Sequence, residues 1–233
     1  MRLEDLNWMD VESYLQHEDR LMLVLGACEQ HGYLSLTTDV RIPLALADAA
    51  GGRTGVIVAP PIPFGISPHF AGYPGTISLA TRTFLRLVED VVRSLHHQGF
   101  RRLLVVNGHG GNEPAVGVLS ELVNELSGLR ARWYSWWQAP HVLEVAQAHG
   151  LHSSHGGAIE AFPFTLVAPL PSDEKPPVEP QEILGAPAVR RLYGDGATGG
   201  PYRIGDEVME ALFSAAVEDV VAELEQLVEP VPD

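Results

Sequence analysis

The chain has 233 residues, 30 acids against 15 Lys and Arg, a formal net charge of −15 and a single lysine, Lys175. Bulk acidity repels phosphate backbones and argues against nucleic-acid or anionic-membrane partners; Arg101-Arg102 and Arg190-Arg191 are the only adjacent basic pairs. One cysteine excludes an intrachain disulfide framework, no apolar run approaches the ~20 residues of a bilayer span, and residues 1–20 lack the basic and apolar regions of a signal peptide, so a cytoplasmic protein is expected.

Residues 5–16 read as a short helix with Asp5 near its N-cap. A buried strand over 21–26 follows, because a continuous apolar run ending in Gly suits a strand covered on both faces. Residues 40–50 read as a helix ended by Gly51-Gly52, and 56–59 as a second buried strand stopped by Pro60-Pro61. The Gly-, Pro- and aromatic-rich stretch 63–75 is a long ordered loop, a kind that is often functional, and 76–79 reads as a short edge strand. Over 81–98 the 3- and 4-residue spacing of Phe84, Leu87, Val88, Val91, Val92 and Leu95 predicts a helix with one buried face, capped by Thr81 and ended by Gly99. A third strand is expected at 103–106, a helix at 113–126 and an aromatic fourth strand at 132–136. Then come a helix at 142–148, a helix start near Gly157, a fifth strand at 164–168 and an irregular Pro-rich segment at 169–187. A long amphipathic helix over 206–228 closes the chain. Alternating strands and helices predict one α/β domain, 1–233, with a mainly parallel sheet between helical layers.

The loop after the first strand holds Glu29, His31 and Asp39 just past a strand's carboxyl end, where open α/β sheets bind ligands. Glu29 and His31 face the same way if the segment is extended. Asp39 returns after a Gly-containing turn, and its two oxygens can bridge two cations. The third strand runs into Asn107-Gly108-His109-Gly110-Gly111-Asn112, and a later loop, His155-Gly156-Gly157-Ala158-Ile159-Glu160, adds two more candidates. Together Glu29, His31, Asp39, His109 and Glu160 suit Zn²⁺, Mn²⁺ or Fe²⁺ better than Ca²⁺ or a soft metal. Two dications beside three carboxylates leave a net charge of about +1, enough to make a bridging hydroxide near neutral pH. Each piece alone is weak. Glu-x-His is common on solvated surfaces, Gly-His-Gly is commonly a turn, and a Gly-rich loop could instead cradle a phosphate, though neither has a phosphate-loop or dinucleotide spacing.

Asn107 and Asn112 would orient ligands or cap turns. His69 and Tyr73 would contact substrate or pack their loop. Trp133, Trp136 and Trp137 read as core or subunit interface, His96-His97 as solvated, and Cys28 as a packed thiol, since no Cys-His motif accompanies it.

Glu29-Gln30-His31-Gly32…Leu36-Thr37-Thr38-Asp39, Asn107-Gly108-His109-Gly110-Gly111-Asn112 and His155-x-Gly157-x-x-Glu160, with Ser67 to Thr76, resemble the creatininase (creatinine amidohydrolase) family in motif and order. The resemblance implies a three-layer α/β/α sandwich and a dinuclear site with two divalent ions per chain, Zn²⁺ foremost and Mn²⁺ or Fe²⁺ as alternatives. It implies hydrolysis of the C–N bond of a cyclic amide, formamide or small amide by a metal-bridging hydroxide, and a homo-oligomer, with a hexamer favoured. Glu29 and His109 would hold one ion, His31 and Glu160 the other, and Asp39 would bridge them. His155 would carry the proton to the leaving nitrogen, or else be a hydrogen-bonded loop histidine. Three departures concern the substrate. Gly111 stands where creatininase has a glutamate. The first motif is a residue shorter, with Tyr33 and Ser35 where a second histidine is common. Ala161-Phe162 replaces a common Thr-Ser. A peptide-trimming metallopeptidase and a non-catalytic metal-binding oligomer of the same fold are the alternatives.

Overall fold

The computed structural model describes residues 1–227. Four strands, β1 (Arg20–Leu25), β2 (Ile57–Val58), β3 (Arg102–Asn107) and β4 (Arg130–Ser135), form a parallel sheet in the order β2-β1-β3-β4. Leu23 pairs with Val105 and Leu25 with Asn107, so β1 and β3 end level with each other. Seven α-helices complete the described chain: α1 (Trp8–Leu15), α2 (Thr38–Thr54), α3 (Thr81–Gln98), α4 (Ala115–Glu125), α5 (Pro140–Ala148), α6 (Ala186–Tyr193) and α7 (Asp206–Gln226). None is long and apolar enough to cross a membrane.

The side-chain alternation of the strands feeds two cores. Met22, Val24, Leu104 and Val106 face α2, α5 and α7. Leu21, Leu23, Leu25, Leu103 and Val105 face α1, α3 and α4. All nine are fully buried, which is why both strands read as unbroken apolar runs. The result is the expected three-layer α/β/α sandwich. β1 connects to β2 on one side and β3 lies on the other, so the β1/β3 gap is the switch point where such sheets bind ligands.

The differences from expectation lie outside this frame. α1 is capped by Asn7, not Asp5. Asn7 Oδ1 accepts from Met9 N at 2.8 Å, and Asp10 Oδ2 accepts from Asn7 N at 3.1 Å. α2 runs through Gly51-Gly52 and stops at Gly55, whose φ is 73°. α3 starts with Thr81 already inside the helix, after Ala80. Its Leu87 is half-exposed, at the edge of the Phe84-Val88-Val92 stripe. Residues 76–79 and 164–168 make single bridges, Cys28 to Ile77 and Leu34 to Leu166, rather than strands. Only a short 3₁₀ turn follows Gly157, at Ala158–Glu160. α6 begins at the end of the segment expected to be irregular, with Pro187 in its first turn, where a missing N–H breaks no helical bond. The closing helix reaches Gln226; Val228, its expected last residue, lies outside the described residues.

Candidate metal centre

Beyond β1 the chain stays extended because it is held on two sides. Ile77 N donates to Cys28 O at 2.8 Å, Gln30 N to Thr76 Oγ1 at 3.0 Å, and Glu29 N to Leu36 O at 2.9 Å. Glu29 and His31 therefore turn their side chains inward together, and both are buried. Asp39 arrives from the first turn of α2, where the positive end of the helix favours a carboxylate. Two glycines set its distance from the sheet. A Cβ on Gly26 would meet Asp39 O at 2.7 Å and Val40 Cγ2 at 2.6 Å; one on Gly108 would meet Asp39 O at 2.0 Å and Pro43 Cγ at 2.6 Å. With side chains there, β1 and β3 could not approach the start of α2.

His109 lies one residue past Gly108 and is gripped by Asn107. The Asn107 Oδ1 accepts from His109 N at 3.2 Å and its Nδ2 donates to His109 O at 2.9 Å. Asn112 ties this loop to β1 through Gly26 O at 3.1 Å. His155 and Glu160 come from the loop 155–160, where Glu160 Oε2 accepts from Gly156 N at 2.7 Å.

The histidines share one pattern: one ring nitrogen meets a main-chain carbonyl and the other points into the carboxylates. His31 has Nδ1 at 3.0 Å from Glu29 O and Nε2 at 2.9 Å from Asp39 Oδ1. His109 has Nε2 at 2.9 Å from Ile66 O and Nδ1 at 3.0 Å from Asp39 Oδ2 and 3.4 Å from Glu29 Oε1. His155 has Nε2 at 2.7 Å from Gln30 O and Nδ1 at 3.5 Å from Glu29 Oε1. Carbonyl-oriented imidazoles of this kind are typical of metal ligands.

Ligand atoms of Glu29, Asp39 and His109 lie within 4.8 Å of one another, as do those of His31, Asp39 and Glu160. Asp39 belongs to both groups. A third group, Glu29, His31 and His155, overlaps them. Asp39 Oδ2 is buried and makes no well-aligned hydrogen bond, its close polar neighbour being His109 Nδ1 at 3.0 Å, so its charge needs a cation beside it, a protonated ring or a metal ion. The five residues therefore fit divalent ions in donor type, spacing and charge.

Protonation tells the same story. Burial pushes the Glu160 carboxyl up to about 7 and raises Glu29 as well, against the pull of His109. Burial works against charge on His31, but Asp39 and its hydrogen bond prevail and carry it up to about 10. His109 likewise overcomes burial beside Asp39 and Glu29 and rises to about 9. Burial would raise Asp39, yet His31 and His109 hold it well below the usual carboxylate range. His155 moves the other way: burial, then neighbouring His31, keep it neutral well below the usual imidazole value. Without metal, protons on the two paired histidines supply the positive charge that the carboxylates require.

A cavity of about 310 Å³ opens over the cluster, with Ser67, His69, Phe70, Trp137 and Ser153 among its walls and no Lys or Arg. At Gly111 the wall is bare backbone, since a Cβ there would fall 2.0 Å from Ile66 O and 2.5 Å from His109 Nε2. Of the second-rank candidates, His69 lines the cavity. Tyr73 instead packs beside α6, its hydroxyl 3.4 Å from Arg190 O, and Tyr33 sits edge-on to Tyr202 with ring centroids 5.5 Å apart. Trp136 is core and Trp137 is cavity wall. Ser67, whose Oγ is 3.3 Å from His109 Nε2, and the Gln30 side chain carried no sequence signal of their own.

Known proteins resemble this chain in sequence and in fold. Matched segments are 36% identical over 115 residues to a creatinine amidohydrolase of Pseudomonas putida, covering 46% of this chain and 44% of the relative. They are 34% identical over 140 residues to a mycofactocin precursor peptide peptidase of Mycolicibacterium smegmatis, covering 57% of this chain and 54% of the relative. The chain thus spans about half the length of these curated relatives. In fold, a crystal structure of creatinine amidohydrolase (creatininase) superposes with a TM-score of 0.78 at 23% identity, over 99% of this chain and 98% of that one. A manganese form of creatininase gives a TM-score of 0.80 at 23% identity, over 98% of this chain and 99% of that one. The family model described as creatinine amidohydrolase matches residues 4–224. That match runs from before α1 into the last turns of α7 and takes in the sheet, both helical layers and every loop of the cluster: the chain belongs to the creatininase family.

Proposed function

We propose that this chain is a metal-dependent amidohydrolase that binds two divalent ions and cleaves the C–N bond of a small amide, formamide or cyclic amide. One observation carries the reading: two groups of closely spaced ligand atoms share the buried Asp39, whose two oxygens face one histidine of each group. Glu29 and His109 would hold one ion, His31 and Glu160 the other, with Asp39 between them. Such ions supply Lewis acidity toward a carbonyl oxygen and lower the pKa of water. Zn²⁺ suits the mixed imidazole and carboxylate set, and Mn²⁺ or Fe²⁺ are the alternatives.

The chain's own groups supply orientation and proton transfer. Ile66 O, Ser67 and Asn107 fix His109, and Glu29 O fixes His31. His155 stands at the cavity wall with Phe70 stacked on it at 4.2 Å. Its Nε2 is engaged by Gln30 O, so Nδ1, 3.5 Å from Glu29 Oε1, is the atom that would take a proton and pass it to a leaving nitrogen. A cavity without Lys or Arg, walled by Phe70 and Trp137, favours a small substrate that needs no strong cationic partner for a carboxylate or phosphate. The bare backbone at Gly111 leaves no room for the glutamate creatininase carries there, so creatinine is not the expected substrate. The reading extends to a homo-oligomer, hexamer favoured, which light scattering of the purified protein would test.

Two outcomes follow. Metal uptake must displace the protons on His31 and His109, which titrate at about 10 and about 9 in the metal-free site. At pH 7 both are cationic, so binding should release protons, and apparent affinity should rise with pH. Calorimetry in buffers of different ionisation enthalpy reads this, and metal binding without proton release would contradict it. His155→Gln should lower kcat by about 10²- to 10⁴-fold while keeping the metal; loss of metal would make His155 a ligand instead. The function itself is tested by screening amides, formamides, cyclic amides and short peptides with the Zn²⁺, Mn²⁺ and Fe²⁺ forms. Turnover of an amide-type bond supports it, and no turnover in any form points to a non-catalytic metal-binding protein.

A further inference from the structure

The two edges of the sheet are finished differently. At β2 the first residues of the chain close the edge: Val58 N donates to Met1 O at 3.0 Å, and Arg2 bridges Val58 in parallel. At β4 none of the described residues pairs with the outer edge. Arg130 N donates to Arg101 O at 2.8 Å, on the β3 side, so by alternation the N–H and C=O groups of Ala131, Trp133 and Ser135 turn outward.

Consecutive strand residues point their side chains to opposite faces. Yet Ala131, Arg132 and Trp133 line one groove of about 320 Å³, and Trp133, Tyr134 and Ser135 line a second of about 480 Å³. Three residues in a row share a groove along the strand's edge, so this edge is open. Folded proteins guard such an edge with outward charge, proline or a bulge. In β4 the charges turn away: Arg132 pairs with Glu223 of α7, and Arg130 donates to Leu227 O and Gln226 O at the end of the same helix.

The helix beside the edge is apolar on two sides. Leu119 and Leu122 of α4 are buried in the core, while Val116 and Val123, seven residues apart and so on one side of the helix, are each 40% exposed. Ser120 and Asn124 lie along the same groove as these two valines, and no acid lines it. One buried face is enough to hold α4 on the sheet, and the second stripe has no described partner.

We propose that the β4 edge and the outer stripe of α4 form one interface with a second copy of this chain, related by a two-fold axis normal to the sheet. That axis pairs the two β4 strands antiparallel, joins the two sheets into one, and sets one α4 against the other. A strand edge suits its own copy, because read in reverse it offers the same alternation of donors and acceptors. Charge fits the same axis. The groove at 133–135 carries Glu113 and Glu223, the groove at 131–133 carries Arg132 and no acid, and antiparallel pairing sets each kind against the other. In a chain of net charge −15, an acid-free stripe is also where two copies meet with least repulsion. The proposal gives a surface to the homo-oligomer of the reading above and rests on that part of it alone, since it needs neither metal nor turnover.

Light scattering of purified protein tests it with two edge variants and a control. The double variant Val116→Asp, Val123→Asp charges the α4 stripe at exposed positions. Ala131→Pro removes an outward N–H, a change that an unpaired edge tolerates. Val167→Asp, at a 62% exposed position away from α4 and β4, is the control. Wild type should be an oligomer, each edge variant should halve the mass per particle with far-ultraviolet circular dichroism unchanged, and Val167→Asp should leave the mass intact. Hydrogen exchange gives a second readout. Amides 131–135 should exchange slowly in concentrated wild type and faster on dilution, because protection by a second copy depends on concentration and protection within one chain does not. If Ala131→Pro fails to fold, the double variant and the dilution series carry the test. A monomeric wild type would overturn this interface together with the homo-oligomer. An oligomer that a folded edge variant leaves intact, or exchange at 131–135 that ignores concentration, would overturn the interface alone.

Discussion

Asp39→Asn is expected to remove both metal ions and with them all activity. The side chain is buried and lies in both ligand groups, so its exchange affects both positions at once. The asparagine keeps the shape but offers one carbonyl oxygen and an NH₂ group. That NH₂ would sit where Asp39 now sets an oxygen against either His31 Nε2 or His109 Nδ1. A donor there faces a metal ligand and repels a cation. The same change removes the partner that keeps His31 and His109 charged in the metal-free site, so burial would draw both toward the neutral form. Metal analysis should therefore fall from two ions per chain to none, with far-ultraviolet circular dichroism unchanged. Retention of one full equivalent would mean that the two groups do not share Asp39 as a bridge.

Gly108→Ala is expected to be nearly as damaging without touching a candidate ligand. The added Cβ would lie 2.0 Å from Asp39 O and 2.6 Å from Pro43 Cγ. The first is backbone and the second a rigid ring, so neither can swing aside. Both atoms belong to α2, so relief requires α2 to shift away from the ends of β1 and β3, which would carry Asp39 away from His109. Overpacking of this kind costs about 1–3 kcal/mol, read as a lower denaturation midpoint. Disturbing ligand support should weaken metal binding about 10- to 100-fold. Gly117→Ala is the control. It lies in α4, a Cβ there meets nothing within 4 Å, and alanine in a helix is worth about 0.5–1 kcal/mol over glycine. Equal metal affinity in the two variants would contradict the packing argument.

The frame of the protein was legible because β1 and β3 are buried on both faces, and that burial writes itself as unbroken apolar runs. The candidate ligands were legible because they follow those runs directly. What escaped reading depends on pairings between distant residues. Leu166 meets Leu34 in one bridge, which period and propensity cannot tell from a strand. α6 is hidden because Pro187, which closes the Pro-rich stretch expected to be irregular, sits in its first turn. The hydrogen bonds of His155 to Gln30 and of Gln30 to Gly196 join residues more than a hundred positions apart. Trp137 looked like core or interface, and only the fold separates it from buried Trp136 and places it on the cavity wall. Tyr33 and Tyr73 stand close in sequence to the site, but their rings pack on Tyr202 and α6.

The most direct test of the central claim is the metal content of purified wild-type protein after dialysis against metal-free buffer and reloading with Zn²⁺. Two tightly held ions per chain are predicted, from Asp39 shared between two complete ligand groups. A plateau at one ion, or none, would contradict a dinuclear centre.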